Sequence, residues 1–269
     1  MKLPSISLNS LQEWKELKRF QELDEKNKSI VFYSENEFYT IHFEKLIKEL
    51  TNVHHLTICY VTSSKTDPVL NSDNDKILSF YIGDGITRTN FFINLKADIL
   101  VMTMPDLETF HIKRSKVHNV QYVYIFHSMV STHMIYRKNA FDSFDTIFCV
   151  GKHHIIEISK NEKKYDLQSK KLVEFGYGKL DLLMDEAEKN RKIKSIEKNN
   201  RTILIAPSWG PNGLIETRGD ELIQTLLDSD YDVILRPHPM TNNEFQKIIS
   251  GFPLACQRFS PQPARKAVN

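Results

Sequence analysis

The stretch YVYIFHSMVSTHMIYRKNAFDSFDTIFCV, residues 122–150, holds two short apolar runs, YVYIF (122–126) and TIFCV (146–150), with a polar and aromatic segment between them. Neither run alternates apolar with polar residues, so neither reads as a strand with one wet face. Strands apolar on both faces belong to parallel sheets covered by helices on either side. The first run ends at His127, which puts an imidazole at the carboxyl end of a strand, the edge where open α/β sheets bind ligands. Ser128 and Ser131 follow, and a helix starting there would offer free backbone N–H groups to an anion. A histidine in that place can take a proton near neutral pH and act as a base. Its plainer role is that of a satisfied boundary residue.

The same pattern extends outward. Upstream lie SIVFY (29–33), LTICYV (56–61), ILSFYI (77–82) and DILVMT (98–103), and downstream KLVEF (171–175). Helical patterns separate several of them, such as FYTIHFEKLIKELTN (38–52), with an apolar stripe through Phe43, Leu46, Ile47 and Leu50. Apolar strands alternating with helices predict βαβ units and a mostly parallel sheet, a Rossmann-like domain over 29–178. Residues 179–200 become strongly charged and read as a helical connector. The pattern then restarts with RTILIAPSWG (201–210), RGDELIQTLLDSD (218–230) and YDVILRPHP (231–239). This is the opening of a second Rossmann-like domain, over 201–250, and it stops short of the usual domain length. Residues 251–269 lose periodicity and read as an irregular tail, so the chain is expected to be C-terminally truncated. Residues 1–28 form an N-terminal helical segment, with Ser10 as cap and Leu11, Trp14, Leu17 and Leu23 as a partial apolar stripe. That stripe is expected to dock on the protein's own body, with weak membrane-surface contact as the alternative.

The run VILRPHPM (233–240) repeats the histidine motif in the second domain. Pro237 and Pro239 forbid the strand from continuing, so Arg236 and His238 leave the sheet at its carboxyl end. In APSWG (206–210), Ser208 and the turn amides can hold a phosphate, while Trp209 either stacks on a base or caps the core. GDG at 83–85 lacks the rest of a dinucleotide fingerprint, and there is neither a P-loop nor a G-x-S-x-G elbow.

Composition narrows the classes further. With 36 basic and 34 acidic side chains the formal charge is +2, so no global field calls for nucleic acid. Basic stretches at 152–154, 160–164 and 189–198 are interleaved with acidic residues and read as solvated faces. Cys59, Cys149 and Cys256 are widely spaced; the first two sit in apolar runs as small buried hydrophobes, which fits a reducing, cytoplasmic setting. No apolar stretch is long enough to span a bilayer, and no signal peptide precedes the first charges. His127 and His133 do not share a helical face, and the adjacent His153 and His154 point apart, so no metal site is expected.

Taken together, these segments resemble the CDP-glycerol glycerophosphotransferase family, which builds or primes teichoic-acid-type polymers. YIFHSMVSTHMIYRKNAFDSFDTIFCVGKHH is similar to its acceptor-side histidine segment, and EFGYGKLDLL to its segment before the interdomain crossover. TILIAPSWG and VILRPHP look like its two later strands and turns, and the matches run in order from 122 to 239. Ser128-Met129 stand where many members have Gly-Thr, Gly210 where an Arg is common, and the family's later Asp-Tyr-Ser-Ser-type loop has no counterpart. The resemblance implies a GT-B arrangement of two Rossmann-like domains. It implies transfer of glycerol phosphate, or a related polyol phosphate, from CDP-glycerol to a hydroxyl of a polymer or lipid-linked acceptor, releasing CMP. His127 would take the acceptor's proton, and His238 would donate to or hydrogen-bond the phosphate. Ser128, Ser208, Trp209 and Arg236 would contact substrate. No cofactor is called for beyond a magnesium ion that the donor diphosphate can carry. Such an enzyme works in the cytoplasm, peripherally on the inner membrane face. The alternatives are a GT-B sugar transferase, a nucleotide-sugar epimerase, or a truncated non-catalytic remnant.

Overall fold

Every apolar run read between residues 29 and 175 is a strand, and together they form one parallel sheet. In chain order these are β1 (Ile30–Ser34), β2 (Ile58–Thr62), β3 (Ile77–Tyr81), β4 (Ile99–Met102), β5 (Gln121–Ile125), β6 (Thr146–Cys149) and β7 (Lys171–Glu174). The sheet order is β3-β2-β1-β4-β5-β6-β7, and each neighbouring pair is parallel. The computed structural model describes residues 8–193, 202–227 and 232–236. The chain divides into one compact unit at residues 1–190 and another at 191–269.

Side chains alternate across the sheet, and both faces are apolar, which is why the strands lack a polar phase. Val31 and Tyr33 of β1 enter one core with Cys59, Phe80, Leu100, Tyr122 and Tyr124. Phe32 points the other way, into a second core with Tyr60, Val101 and Val123. Helix α2 (Thr40–Lys48) covers that second face through Phe43 and Ile47. Cys59 and Cys149 are buried free thiols; Cys256 lies outside the described residues.

Helix α1 (Leu8–Gln21) covers the first face together with α3 (Ile86–Ile93). Phe20 meets Phe80 and Phe91 edge-on, at 5.4 and 5.2 Å between ring centroids, and Leu17 beside it is buried. Burial of each such side chain is worth about 1.5–3 kcal/mol, so this segment is held as part of the first unit. Two details depart from expectation. Ser10 is not the cap, because the helix already runs at Leu8. The docking face carries Glu13, Leu17 and Phe20, while Leu11 and Trp14 are exposed. The periodicity picked the wrong edge of the stripe because Glu13 is used inward: its carboxylate accepts from Tyr81 Oη at 3.4 Å and from Thr87 Oγ1 at 3.3 Å.

Helix α4 (Thr132–Ile135) is a single turn after β5, and α5 (Lys152–Tyr165) and α6 (Gly178–Ile193) follow β6 and β7. In the second unit, β8 (Thr202–Ile205), α7 (Leu214–Leu227) and β9 (Asp232–Leu235) make one βαβ turn with the two strands parallel. Ile215, Leu222 and Leu226 of α7 cover Ile203, Ile205, Val233 and Leu235. Helix α7 starts four residues before the expected position and is kinked at Arg218. No described helix is long and apolar enough to cross a membrane.

Candidate active site

His127 stands two residues past the end of β5, half-buried at the carboxyl edge of the large sheet. Its Nδ1 lies 3.2 Å from the Thr103 carbonyl oxygen. A carbonyl can only accept, so Nδ1 carries the hydrogen and Nε2 presents a bare lone pair. Burial pushes the pKa of His127 below the usual histidine value, and the Thr103 hydrogen bond opposes this only in part. The ring is therefore neutral at pH 7, with its basic nitrogen unprotonated. That is the state a general base requires.

Aromatic side chains hold the imidazole from several directions. Tyr39 meets it edge-on at 5.3 Å, and His42 and Tyr136 lie at 6.3 Å. Tyr177 donates its hydroxyl to the His127 carbonyl oxygen at 2.8 Å, fixing the backbone where it leaves the strand. His42 is buried and packs on Tyr177 at 5.5 Å. Its pKa falls to about 4, through burial first and then the charges of Lys179 and His127. Ser128 is half-buried beside the ring, its Oγ 3.3 Å from the Tyr136 hydroxyl.

The anion site expected at the helix start after Ser131 is already filled. Glu157 of α5 accepts from the Thr132 N–H at 2.6 Å and from Thr132 Oγ1 at 2.7 Å. The exposed His133 sits on the same carboxylate at 3.6 Å, away from His127. Burial works against the charged form of Glu157, but the hydrogen bonds from Thr132 and Ser131 and the His133 charge win, and its pKa falls to about 2. His154 pins the loop from below: fully buried, its Nε2 donates to the Val130 carbonyl at 2.9 Å. His153 is exposed, although the two rings touch at 4.2 Å. Among the described residues no group of three or more His, Cys, Asp or Glu side chains is arranged to hold a metal ion.

Charge-assisted hydrogen bonds are worth about 1.5–3 kcal/mol. Glu157→Gln is therefore expected to lower stability by about 1–2 kcal/mol in urea titrations at pH 7, and to speed amide exchange at 128–135. A lowered carboxylate pKa stabilises fully above the unfolded value near 4.3 and is lost as pH falls toward 2. The gap between wild type and variant should then narrow steadily below pH 5. A constant gap would refute the assignment.

In the second unit, Ser208, Trp209 and Arg236 leave the same edge of the strand pair. Ile205 and Leu235 are partners in register, and the Arg236 N–H donates to the Ile205 carbonyl at 2.8 Å. All three side chains are exposed, Trp209 at 50%, so it does not cap this unit's core. Gly210 has φ +129°, a conformation that side chains rarely adopt and glycine adopts freely. His238 lies outside the described residues.

Sequence reasoning missed Tyr39, His42, Thr103, Tyr136 and Tyr177. Tyr177 lies inside the EFGYG segment and Tyr136 inside the segment that follows His127. Tyr39 and His42, at the start of α2, and Thr103, just past β4, are brought to His127 only by the sheet order.

The family profile described as CDP-glycerol:poly(glycerophosphate) glycerophosphotransferase matches residues 16–253. No curated protein matches the chain in sequence. Among solved structures, the chain is similar to a variant of the wall teichoic acid polymerase TagF, at 15% identity and TM-score 0.47, over 90% of this chain and 63% of that one. It is also similar to UDP-GlcNAc 2-epimerase from Neisseria meningitidis bound to UDP-GlcNAc, at 15% identity and TM-score 0.47, over 82% and 67%. The chain thus spans less than two thirds of the TagF chain. The profile match covers most of the sequence, including β1 through β9 and the histidine edge, and on that ground the chain belongs to the CDP-glycerol:poly(glycerophosphate) glycerophosphotransferase family.

Proposed function

We propose that the chain transfers glycerol phosphate, or a related polyol phosphate, from CDP-glycerol to a hydroxyl of a teichoic-acid-type polymer or its lipid-linked primer. The observation that carries this reading is the neutral His127, with Nδ1–H committed to Thr103 and Nε2 free at the sheet edge, in a chain of this family. Nε2 takes the proton from the acceptor hydroxyl as its oxygen attacks the glycerol-bearing phosphorus. The bond from that phosphorus to the bridging oxygen breaks, CMP leaves, and the proton passes from the imidazole to solvent or product. A polyol hydroxyl ionises far above pH 7, so removal of its proton during attack is worth about a hundred- to ten-thousandfold in rate.

Ser208, Trp209 and Arg236 are assigned to the nucleotide-linked donor by family resemblance and by their shared edge in the second unit, and His238 to its phosphate by family resemblance alone. Ser128 steadies the acceptor side through Tyr136. A magnesium ion on the diphosphate would come with the donor, and no step above runs through it. An acceptor on a lipid anchor would bring the chain to the inner face of the membrane.

The test is incubation of the chain with CDP-glycerol and a glycerol-phosphate-primed lipid acceptor, following CMP and the lengthened product. Stoichiometric CMP and product are expected. Release of a nucleoside diphosphate from a nucleotide sugar, with CDP-glycerol untouched, would move the chain to the sugar transferases. No turnover of either donor would leave it a binding module.

A further inference from the structure

Tyr136 is a shared wall. Its ring lies 6.3 Å from the His127 ring, and its hydroxyl 3.3 Å from Ser128 Oγ. The same side chain lines a cavity of about 180 Å³ between the loop 132–142 and helix α5. The histidine chemistry does not use this cavity. It is smaller than the roughly 300 Å³ or more that drug-sized ligands occupy, so it suits one small unit rather than a whole nucleotide.

The acids on the cavity wall are largely spent. Glu157 is committed to Thr132 and His133, and the buried Glu162 to the backbone N–H and ammonium of Lys170. Asp142 is half-buried, and a carboxylate can only accept hydrogen bonds. The cations are held differently. Arg137 lies over the Phe110 ring at 4.7 Å and Lys138 over the Tyr165 ring at 4.3 Å. Lys164, just outside the lining, shares the Tyr165 ring at 5.2 Å. A ring face attracts a cation without neutralising it. None of these three cations is in an ion pair among the described residues. Phe110 and Tyr165 are both exposed, and the cations they seat give a reason for apolar rings at the surface. The amides of Asn139 and Asn161 also line the cavity.

Uncommitted cations call for an anion, and a carboxylate with two amides calls for hydroxyls. A phosphate with neighbouring hydroxyls answers both, and the repeat of a polyol-phosphate polymer is such a unit. Position decides which repeat. The cavity begins one side chain beyond the base, so a polymer whose terminal hydroxyl meets His127 has its preceding repeats within reach. We propose that the cavity is a distal acceptor subsite, in which Arg137 and Lys138 hold a phosphate of a repeat set back from the reacting end. The assignment to the acceptor rests on the transferase reading above. The binding itself does not require turnover.

Calorimetric titration of the chain with glycerol 3-phosphate and with a soluble glycerol phosphate trimer tests this directly. The trimer should bind about tenfold more tightly, as two exposed charge contacts imply. In the wild type this gap should narrow as salt is added, because exposed charges are screened. Arg137→Gln with Lys138→Gln should erase the gap, and Arg137→Lys with Lys138→Arg should keep most of it. Both side chains are exposed, so the variants should fold, as circular dichroism checks. Lys26→Gln with Lys48→Gln removes the same charge at exposed positions outside the cavity and should leave the gap intact. In turnover assays with a three-repeat primer, the Arg137 and Lys138 double variant should raise KM by about the same factor, with a smaller change in kcat. No gap in the wild type, a gap indifferent to salt, an unchanged gap in the folded double variant, or an equal loss in the Lys26 and Lys48 control would each overturn the proposal. Vesicles of phosphatidylglycerol carry the same headgroup chemistry. Arg137-dependent binding to them, with no preference for the trimer, would assign the cations to lipid and overturn it too. The two readings can fail separately. CMP release without a length preference sinks only the subsite, whereas a length preference that depends on Arg137 and Lys138, without CMP release, supports the subsite and sinks the transferase.

Discussion

Replacement of His127 by alanine is expected to lower the rate of CMP release by about a hundred- to ten-thousandfold while donor affinity stays within a factor of a few. The expectation follows from the position of the group: it acts through a free Nε2 on the attacking hydroxyl, and the alanine variant keeps the backbone carbonyl that Tyr177 holds. The pH profile gives the sharper reading. Burial sets the His127 pKa below the usual value near 6.5, so the wild-type rate should stay level from pH 8 to about 6.5 and fall on the acid side. His127→Ala should lose that acid limb along with most of its rate. His127→Gln should do the same, because an amide can hydrogen-bond the Thr103 carbonyl but cannot take a proton. A variant with low rate and an unchanged acid limb would show that His127 only positions the substrate and that the base lies elsewhere.

The second large effect is on stability in acid. His42 is buried, with a pKa near 4 in the folded chain against about 6.5 when unfolded. Below pH 6.5 the unfolded chain binds a proton that the folded chain refuses. Unfolding free energy therefore drops as pH falls from 6.5 to about 4, and this contribution then levels off. At about 1.4 kcal/mol per pKa unit, the whole swing for His42 is roughly 3 kcal/mol, a large share of a typical folding free energy. Burial shifts His154 in the same direction, and its protonation would set a charge against Phe126, 4.0 Å away, and the loop it pins. Urea titrations of the wild type at pH 7.5, 6 and 5 should show stability falling with pH. In His42→Asn the fall should be shallower, and the difference between the two proteins should itself grow toward pH 7. Parallel pH curves for the two would exclude His42 as a source of the acid sensitivity. The same titration bears on activity, because His42, Tyr177 and His127 form one packed group.

The reading of Glu157 shows where local reasoning has a limit. A helix start after Ser131 did suggest an anion, and an anion is there, but it belongs to the protein. A residue 25 positions away supplies it, and nothing in the local pattern indicates a partner at that separation. Glu13 makes the same point on α1. Its charge marks it as a solvated position, yet its carboxylate is used inward against Tyr81 and Thr87. In both cases the partner of the polar residue lies on another element.

The strands were legible because their signal is local and redundant. Continuous apolar runs such as IVFY and YVYI must be covered on both sides, and only a parallel sheet between helices does that. His127 and Arg236 were legible for the same reason, since a strand's end is visible in the sequence and its carboxyl edge is where ligands bind. The sequence by itself therefore determined the α/β class, the strands and the histidine at the edge. The tertiary structure alone decided the sheet order, and with it the switch point between β1 and β4 and the tyrosines and the second histidine around His127. Strand order is a property of long-range pairing, and these side chains, drawn from separate segments, share a neighbourhood only once the strands have been placed side by side.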